Sequence, residues 1–136
     1  MRNILKESDI QKSILDYLSL IPGCFVFRTN NIGVPLRDSS GKTSFRPSPV
    51  KGLSDILCCF KGRFIALEVK RPKGKVTQHQ TRFLNQVKES GGVGAVVHSI
   101  EEVKELFEYI PCLDEEICRT ILLYLIKTQS RKALSK

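Results

Sequence analysis

An α/β fold with a mixed central sheet flanked by helices is the architecture implied by this chain. Apolar residues recur at helical spacing in some segments and crowd into short β-rich runs in others. Two such runs, 55–60 and 63–70, are separated only by Lys61-Gly62, which makes them an antiparallel hairpin. A third run, 93–98, follows through a helical segment, so it lies parallel to its predecessor after a right-handed crossover.

The elements follow in order. Residues 7–20 form an amphipathic helix with Ile10, Ile14, Leu15 and Leu18 at helical spacing, ended by Ile21-Pro22-Gly23. Residues 24–28 are a short strand. Residues 30–51 hold Gly, Ser, Asn and three prolines with few apolar residues, and read as a long, mostly irregular loop with room for a short hairpin. Asp55 to Phe60 is a buried strand in which Cys58-Cys59 is apolar filler. After the second hairpin strand, Pro72 and Gly74 break the chain. Thr77 to Glu89 is a helix with Phe83, Leu84 and Val87 facing inward, capped by Gly91-Gly92. Ser99 caps a helix through Tyr109, with Glu102 at the capping-box position. Beyond Pro111 a last helix is predicted over 114–128, with Ile117, Ile121, Leu122 and Leu125 on one face. Residues 1–110 thus form one domain, and 111–136 a helical extension packed on it or at a dimer interface.

The 136 residues are 41% hydrophobic and 26% charged, values of a globular chain with one core. The five cysteines, at 24, 58, 59, 112 and 118, are odd in number and form no C-x-x-C, which argues against a disulfide framework or zinc knot. The longest aliphatic-aromatic run, 121–126, is six residues, far short of a membrane span, and no signal peptide is evident. The net charge of +8 is uneven: residues 37–88 carry twelve basic and three acidic residues. Such a concentration fits a polyanionic partner.

The chemistry-bearing constellation lies in the hairpin. Asp55 opens one strand, while Glu68 and Lys70, two apart, leave one face of the other. Two carboxylates suit a hard divalent cation such as Mg²⁺, and a neighbouring amine can orient water and stabilise developing negative charge. His79 and His98 fall at no metal-ligand or triad spacing and read as bystanders. Gly91-Gly92-Val93-Gly94 turns into a strand rather than a helix, a poor phosphate cradle.

Gly52-Leu53-Ser54-Asp55-Ile56 followed by Leu67-Glu68-Val69-Lys70 resembles the PD-(D/E)xK nuclease signature. The wider pattern is similar to its VRR-NUC (virus-type replication-repair nuclease) branch. Glu7-x-x-Ile10-Gln11-x-x-Ile14 with Leu18 resembles the first helix of that branch, and Phe27-Arg28-x-Asn30 its first strand. Thr77-x-x-Gln80-x-x-Phe83-Leu84 resembles its post-catalytic helix. The likeness spans residues 7–107, and its specificity lies in the order and spacing of the pieces. Ser54 departs from the proline of the family pair, a residue that shapes backbone and supplies no ligand.

The resemblance implies a restriction-endonuclease-like core and a Mg²⁺-dependent DNA endonuclease, with Mn²⁺ able to substitute. It implies Asp55 and Glu68 as metal ligands, helped by the Val69 carbonyl, with Glu7 adding to the metal site directly or through water. Lys70 would position the attacking water, and Gln80 would lie by the active site; Thr77 and Gln80 also form a capping box. Arg28 and Asn30 at the first strand's end, Arg37, Lys42, Arg46 and Lys51 in the long loop, and Arg71, Lys73 and Lys75 after Lys70 are the candidate DNA-backbone contacts. Small stand-alone members resemble Holliday-junction resolvases, which implies branched DNA as substrate and a bacterial or phage cytoplasmic setting; the apolar stripe of the last helix suggests a homodimer, which supplies the two active sites that cutting a junction needs. The alternatives are a non-catalytic DNA-binding module on a nuclease fold, an RNA nuclease, or the nuclease subunit of a larger repair or restriction system.

Overall fold

The computed structural model describes residues 5–30, 34–112, 115, 119–120 and 122–128. The element order is α1 (Glu7–Ser19), β1 (Phe25–Arg28), β2 (Val34–Arg37), β3 (Thr43–Arg46), β4 (Ile56–Phe60), β5 (Arg63–Val69), α2 (Gln78–Glu89), β6 (Val93–Val97) and α3 (Ile100–Glu108). The main sheet runs β1-β4-β5-β6, with β1·β4 and β4·β5 antiparallel and β5·β6 parallel. The mixed sheet is therefore present. The segment read as a loop with room for a hairpin holds a separate two-stranded sheet, β2 against β3.

Strand alternation divides the interior into two layers. Ile56, Cys58, Ile65, Leu67, Val69 and Val97 face α1 and α3, meeting Ile10, Ile14, Leu18, Val103 and Phe107. Leu57 and Ala66 face α2, meeting Leu84 and Val87 with Phe83 half-buried beside them. Residues 65–69 of β5 are buried on both faces, so this strand is the centre of the fold.

The β4–β5 turn has Lys61 at φ 51° and Gly62 at φ 75°, the doubly left-handed geometry of a two-residue hairpin loop. Its two basic residues serve structure: Lys61 Nζ donates to the Ile110 carbonyl at 3.1 Å, and Arg63 donates to Pro111 and Gly91 carbonyls at 3.1 and 3.2 Å. Ser99 caps α3 as predicted, but the Glu102 side chain accepts from the His98 backbone N–H at 2.8 Å, one residue short of the predicted box.

Cys59 is a correction. It is exposed while Cys58 is buried, because Cys58 faces α1 and α3 whereas Cys59 lies on the α2 face, on the turn side of Leu57 and Ala66, where Leu84 and Val87 do not reach. The same uncovered part of that face exposes Phe64, which pairs with Cys59, and Phe25 and Phe27, whose rings lie 5.8 Å apart. Among the described residues Cys24, Cys58, Cys59 and Cys112 are free, and no helix is long and apolar enough to cross a membrane.

Residues 119–120 and 122–128 are helical, while Ile117 and Ile121 lie outside the described residues. Leu122 and Leu125 of the predicted stripe are each about half exposed, as are Leu123, Tyr124 and Ile126.

Gly94 sits where β6 crosses α2, and a methyl group there would stand 2.7 Å from the Leu84 carbonyl oxygen. Because that obstacle is backbone, Gly94→Ala should cost about 1–3 kcal/mol of stability in urea unfolding.

Candidate active site

The hairpin register puts the start of β4 beside the end of β5, since Ile56 pairs with Leu67. Asp55, just before β4, accepts the Val69 backbone N–H on Oδ2 at 2.9 Å and so closes the end of the ladder. Glu68 precedes Val69 on the α2 side of the sheet, and its side chain is fully buried. Lys70 follows the last strand residue and places Nζ 3.0 Å from Glu68 Oε1. Its own N–H donates to the Val97 carbonyl at 3.0 Å, which ties the site to β6.

Both helical layers reach this end of the sheet. Glu7, in the first turn of α1, lies 3.5 Å from Lys70 Nζ. Gln80, in the first turn of α2, donates Nε2 to Glu68 Oε1 at 2.5 Å. The same side chain accepts the Thr77 N–H on Oε1 at 2.9 Å, while Thr77 Oγ1 accepts the Gln80 N–H at 3.2 Å. Helix cap and carboxylate contact are thus two ends of one amide, and the cap fixes which end meets Glu68.

All five predicted chemistry-bearing side chains converge: Asp55, Glu68, Lys70, Gln80 and, through Lys70, Glu7. The nine candidate backbone contacts are all exposed. Arg28 and Asn30 lie at the β1 end that pairs with the start of β4, and Arg71, Lys73 and Lys75 lie on the turn leaving Lys70. In that turn Gly74 donates to the Arg71 carbonyl at 2.8 Å and Lys73 takes φ 67°. Arg37 and Lys42–Arg46 belong to the β2–β3 ribbon, and Lys51 follows it.

Three polar residues at this end were given no site role from the sequence. Thr29 donates Oγ1 to the Ser54 carbonyl at 2.5 Å, and its N–H donates to the Asp55 carbonyl at 2.9 Å. Ser54 itself is buried with its hydroxyl unpartnered, and Gln11, one turn beyond Glu7 on α1, is buried with Oε1 unpartnered. A polar Gln11 among Ile10, Ile14 and Leu18 was the available signal for one of them; the clamp by Thr29 depends on a contact twenty-five positions away.

Electrostatics follow from burial. Burial pushes the Glu68 carboxyl up to about 7; the Lys70 hydrogen bond works against this and the Asp55 charge works with it. Burial alone would lower Lys70, but its hydrogen bond to Glu68 and the charges of Glu68, Glu7 and Asp55 outweigh it, so its pKa is raised and the amine stays an ammonium. Among the described residues no three acidic, His or Cys side chains form a ready-made metal cage; Lys70 stands between Glu7 and Glu68. The donors still fit a hard divalent cation, because Glu68 Oε2 is buried without a hydrogen-bond partner and Asp55 lies near enough to raise the Glu68 pKa. No protein-family model matches this chain, and no curated protein matches it in sequence.

With a folded pKa above the usual ~4.3 of an unfolded glutamate, Glu68 binds its proton more tightly in the folded state. Its contribution favours folding below that unfolded value and is lost as pH rises through about 7. In metal-free protein, Glu68→Gln should therefore gain stability relative to the parent between about pH 5 and 8, by up to ~3 kcal/mol. Thermal unfolding in EDTA measures this, and an equal offset at both pH values would overturn it.

Proposed function

We propose that this chain is a divalent-metal-dependent nuclease that hydrolyses phosphodiester bonds in DNA, with branched DNA as its substrate class and Mg²⁺ as its cation. One observation carries the reading: Asp55, Glu68 and Lys70 meet at one sheet end around a buried, unpartnered carboxylate oxygen, Glu68 Oε2. A pair of carboxylates on a basic protein repels phosphate unless a cation stands between them, so the acids and the +8 charge make sense together.

In this reading Asp55 and Glu68, with the Val69 carbonyl, hold the cation. When bound, the cation acidifies a water and neutralises charge on the phosphate. Gln80 is a positioning residue: it holds Glu68 Oε1 and would leave Oε2 for the cation. The Lys70 ammonium, held by Glu68 and Glu7, orients the attacking water and stabilises the negative charge that develops on the phosphoryl oxygens. Attack by water leaves a 5′-phosphate and a 3′-hydroxyl. Arg28, Asn30, Lys51, Arg71, Lys73 and Lys75 contact the sugar-phosphate backbone, which positions DNA without reading its sequence. A homodimer would supply two such sites for paired cuts, and it is supported by the apolar exposure at Leu122–Ile126.

Labelled four-way junction, flap, duplex and single-stranded DNA, each with Mg²⁺, Mn²⁺ or EDTA, test this directly. Cleavage should need the metal, disappear in Asp55→Ala and Glu68→Ala, and fall at least about 100-fold in Lys70→Ala. Gln80→Ala should raise the metal concentration needed for half-maximal cleavage by about 10–100-fold while leaving cleavage at saturating metal. Cutting by Glu68→Ala, or in EDTA, would sink the mechanism; retarded bands without cutting under any metal would point to a DNA-binding module instead. Sedimentation as a monomer at micromolar concentration would remove the dimer.

A further inference from the structure

The β2–β3 ribbon is used neither by the core nor by the carboxylate site. Every residue of both strands is exposed, Phe45 at 65%, with Val34 and Leu36 also uncovered. A lone two-stranded ribbon is marginally stable in water. Apolar side chains displayed on one gain little unless something outside the chain covers them.

The register shows what each face offers. Pro35 pairs with Phe45 and Arg37 with Thr43, while Val34 pairs with Arg46 and Leu36 with Ser44. With side chains alternating, Phe45 shares its face with Arg37 one step diagonally away, and Arg46 lies on the other face. Lys42 stands in the connecting turn. The ribbon's one acid, Asp38, is spent inside that turn: Oδ1 accepts from the Ser40 N–H at 2.9 Å, the Ser40 hydroxyl at 2.6 Å and the Lys42 N–H at 3.0 Å. The outward charge is therefore basic, with Arg37 on the face of the aromatic ring, Arg46 on the opposite face and Lys42 at the tip.

The ribbon is also rooted at the site. Thr29 before it is hydrogen-bonded to Ser54 and Asp55 after it. Gly52, in the return path at φ 72°, lies so close to the His79 carbonyl that no side chain fits. Both ends of the excursion are thus held against the start of β4 and the start of α2.

We infer that the ribbon is a branch-reading element: Phe45 stacks on an unpaired base where DNA strands separate, and Arg37, Lys42 and Arg46 grip the flanking phosphates. The inference rests on the nuclease reading for its choice of DNA. An exposed ring on a basic ribbon suits a base with its π-face free and phosphates close by, whereas paired bases in a duplex keep their faces stacked. Phosphate contacts alone would bind every DNA shape alike; the exposed ring makes the difference.

Fluorescence anisotropy in EDTA, with a forked duplex and a blunt duplex of equal length, tests it. The parent protein should prefer the fork. Phe45→Ala should bind the fork about 10-fold more weakly and the blunt duplex less than about twofold more weakly, with an unchanged circular dichroism spectrum. The chain has no tryptophan, so Phe45→Trp supplies a single emitter that should keep the preference and be quenched by the fork alone. No fork preference in the parent, equal losses on both DNAs, or quenching by both overturns the inference. A Phe45-dependent fork preference with no cleavage under any divalent cation supports the ribbon's role and overturns the nuclease reading. Metal-dependent cleavage whose fork preference survives Phe45→Ala does the reverse.

Discussion

A carboxylate with no exposure, at the end of the central strand, is the constraint around which this fold is arranged. Glu68 sits where an aliphatic residue would be cheaper, since β5 is buried on both faces up to that point. Its position requires a cation on one side and a donor on the other, and the chain supplies Lys70 from two residues on and Gln80 from the following helix. The first turn of α2 is accordingly tied to β5 by a polar contact as well as by Leu84 and Val87. Glu7 ties the first turn of α1 to the same ammonium. Sheet and both helical layers meet at one charged knot, and half of the Glu68 carboxyl is still left for something else to satisfy.

The basic excess is sorted by place. Lys61 and Arg63, at the far turn of the hairpin, spend their donors on carbonyls at 91, 110 and 111 and hold the chain after α3. At the opposite end Arg71, Lys73 and Lys75 are exposed on the turn that leaves Lys70, and Arg28 ends the edge strand. Charge that looked like one block in sequence divides into a structural part and a part facing the carboxylates. That positive field draws anions toward the knot.

What was legible in the sequence was local. A two-residue Lys-Gly turn between β-rich runs determines the register, and register alone brings Asp55 to Glu68. The i to i+3 cap of Thr77 and Gln80 was equally readable, but not that one amide could cap the helix and hold the carboxylate together. Contacts between distant segments were not legible. Thr29 is an unremarkable polar residue until the chain returns at Ser54, and Cys59 looks as buried as Cys58 until α2 is seen to stop short of the turn end of β4 and β5. The β2–β3 strands, with Pro35 within them and no buried face, lack the alternation that marks a strand, so only their turn chemistry hinted at a hairpin.

The clamp of Thr29 on Ser54 and Asp55 closes the chain on itself before the sheet continues. What is looped out between those residues, short of Gly52 and Leu53, which pack back on α2 and the core, is an appendix to a circuit already complete. The entropy of closing such a circuit rises only slowly with the length of what is looped out. Such an appendix can be lengthened, shortened or exchanged for another while β4 still begins at the same place and Asp55 still meets Val69. The architecture separates the part that is free to vary from the part that must not move, and it draws the first border at a single threonine.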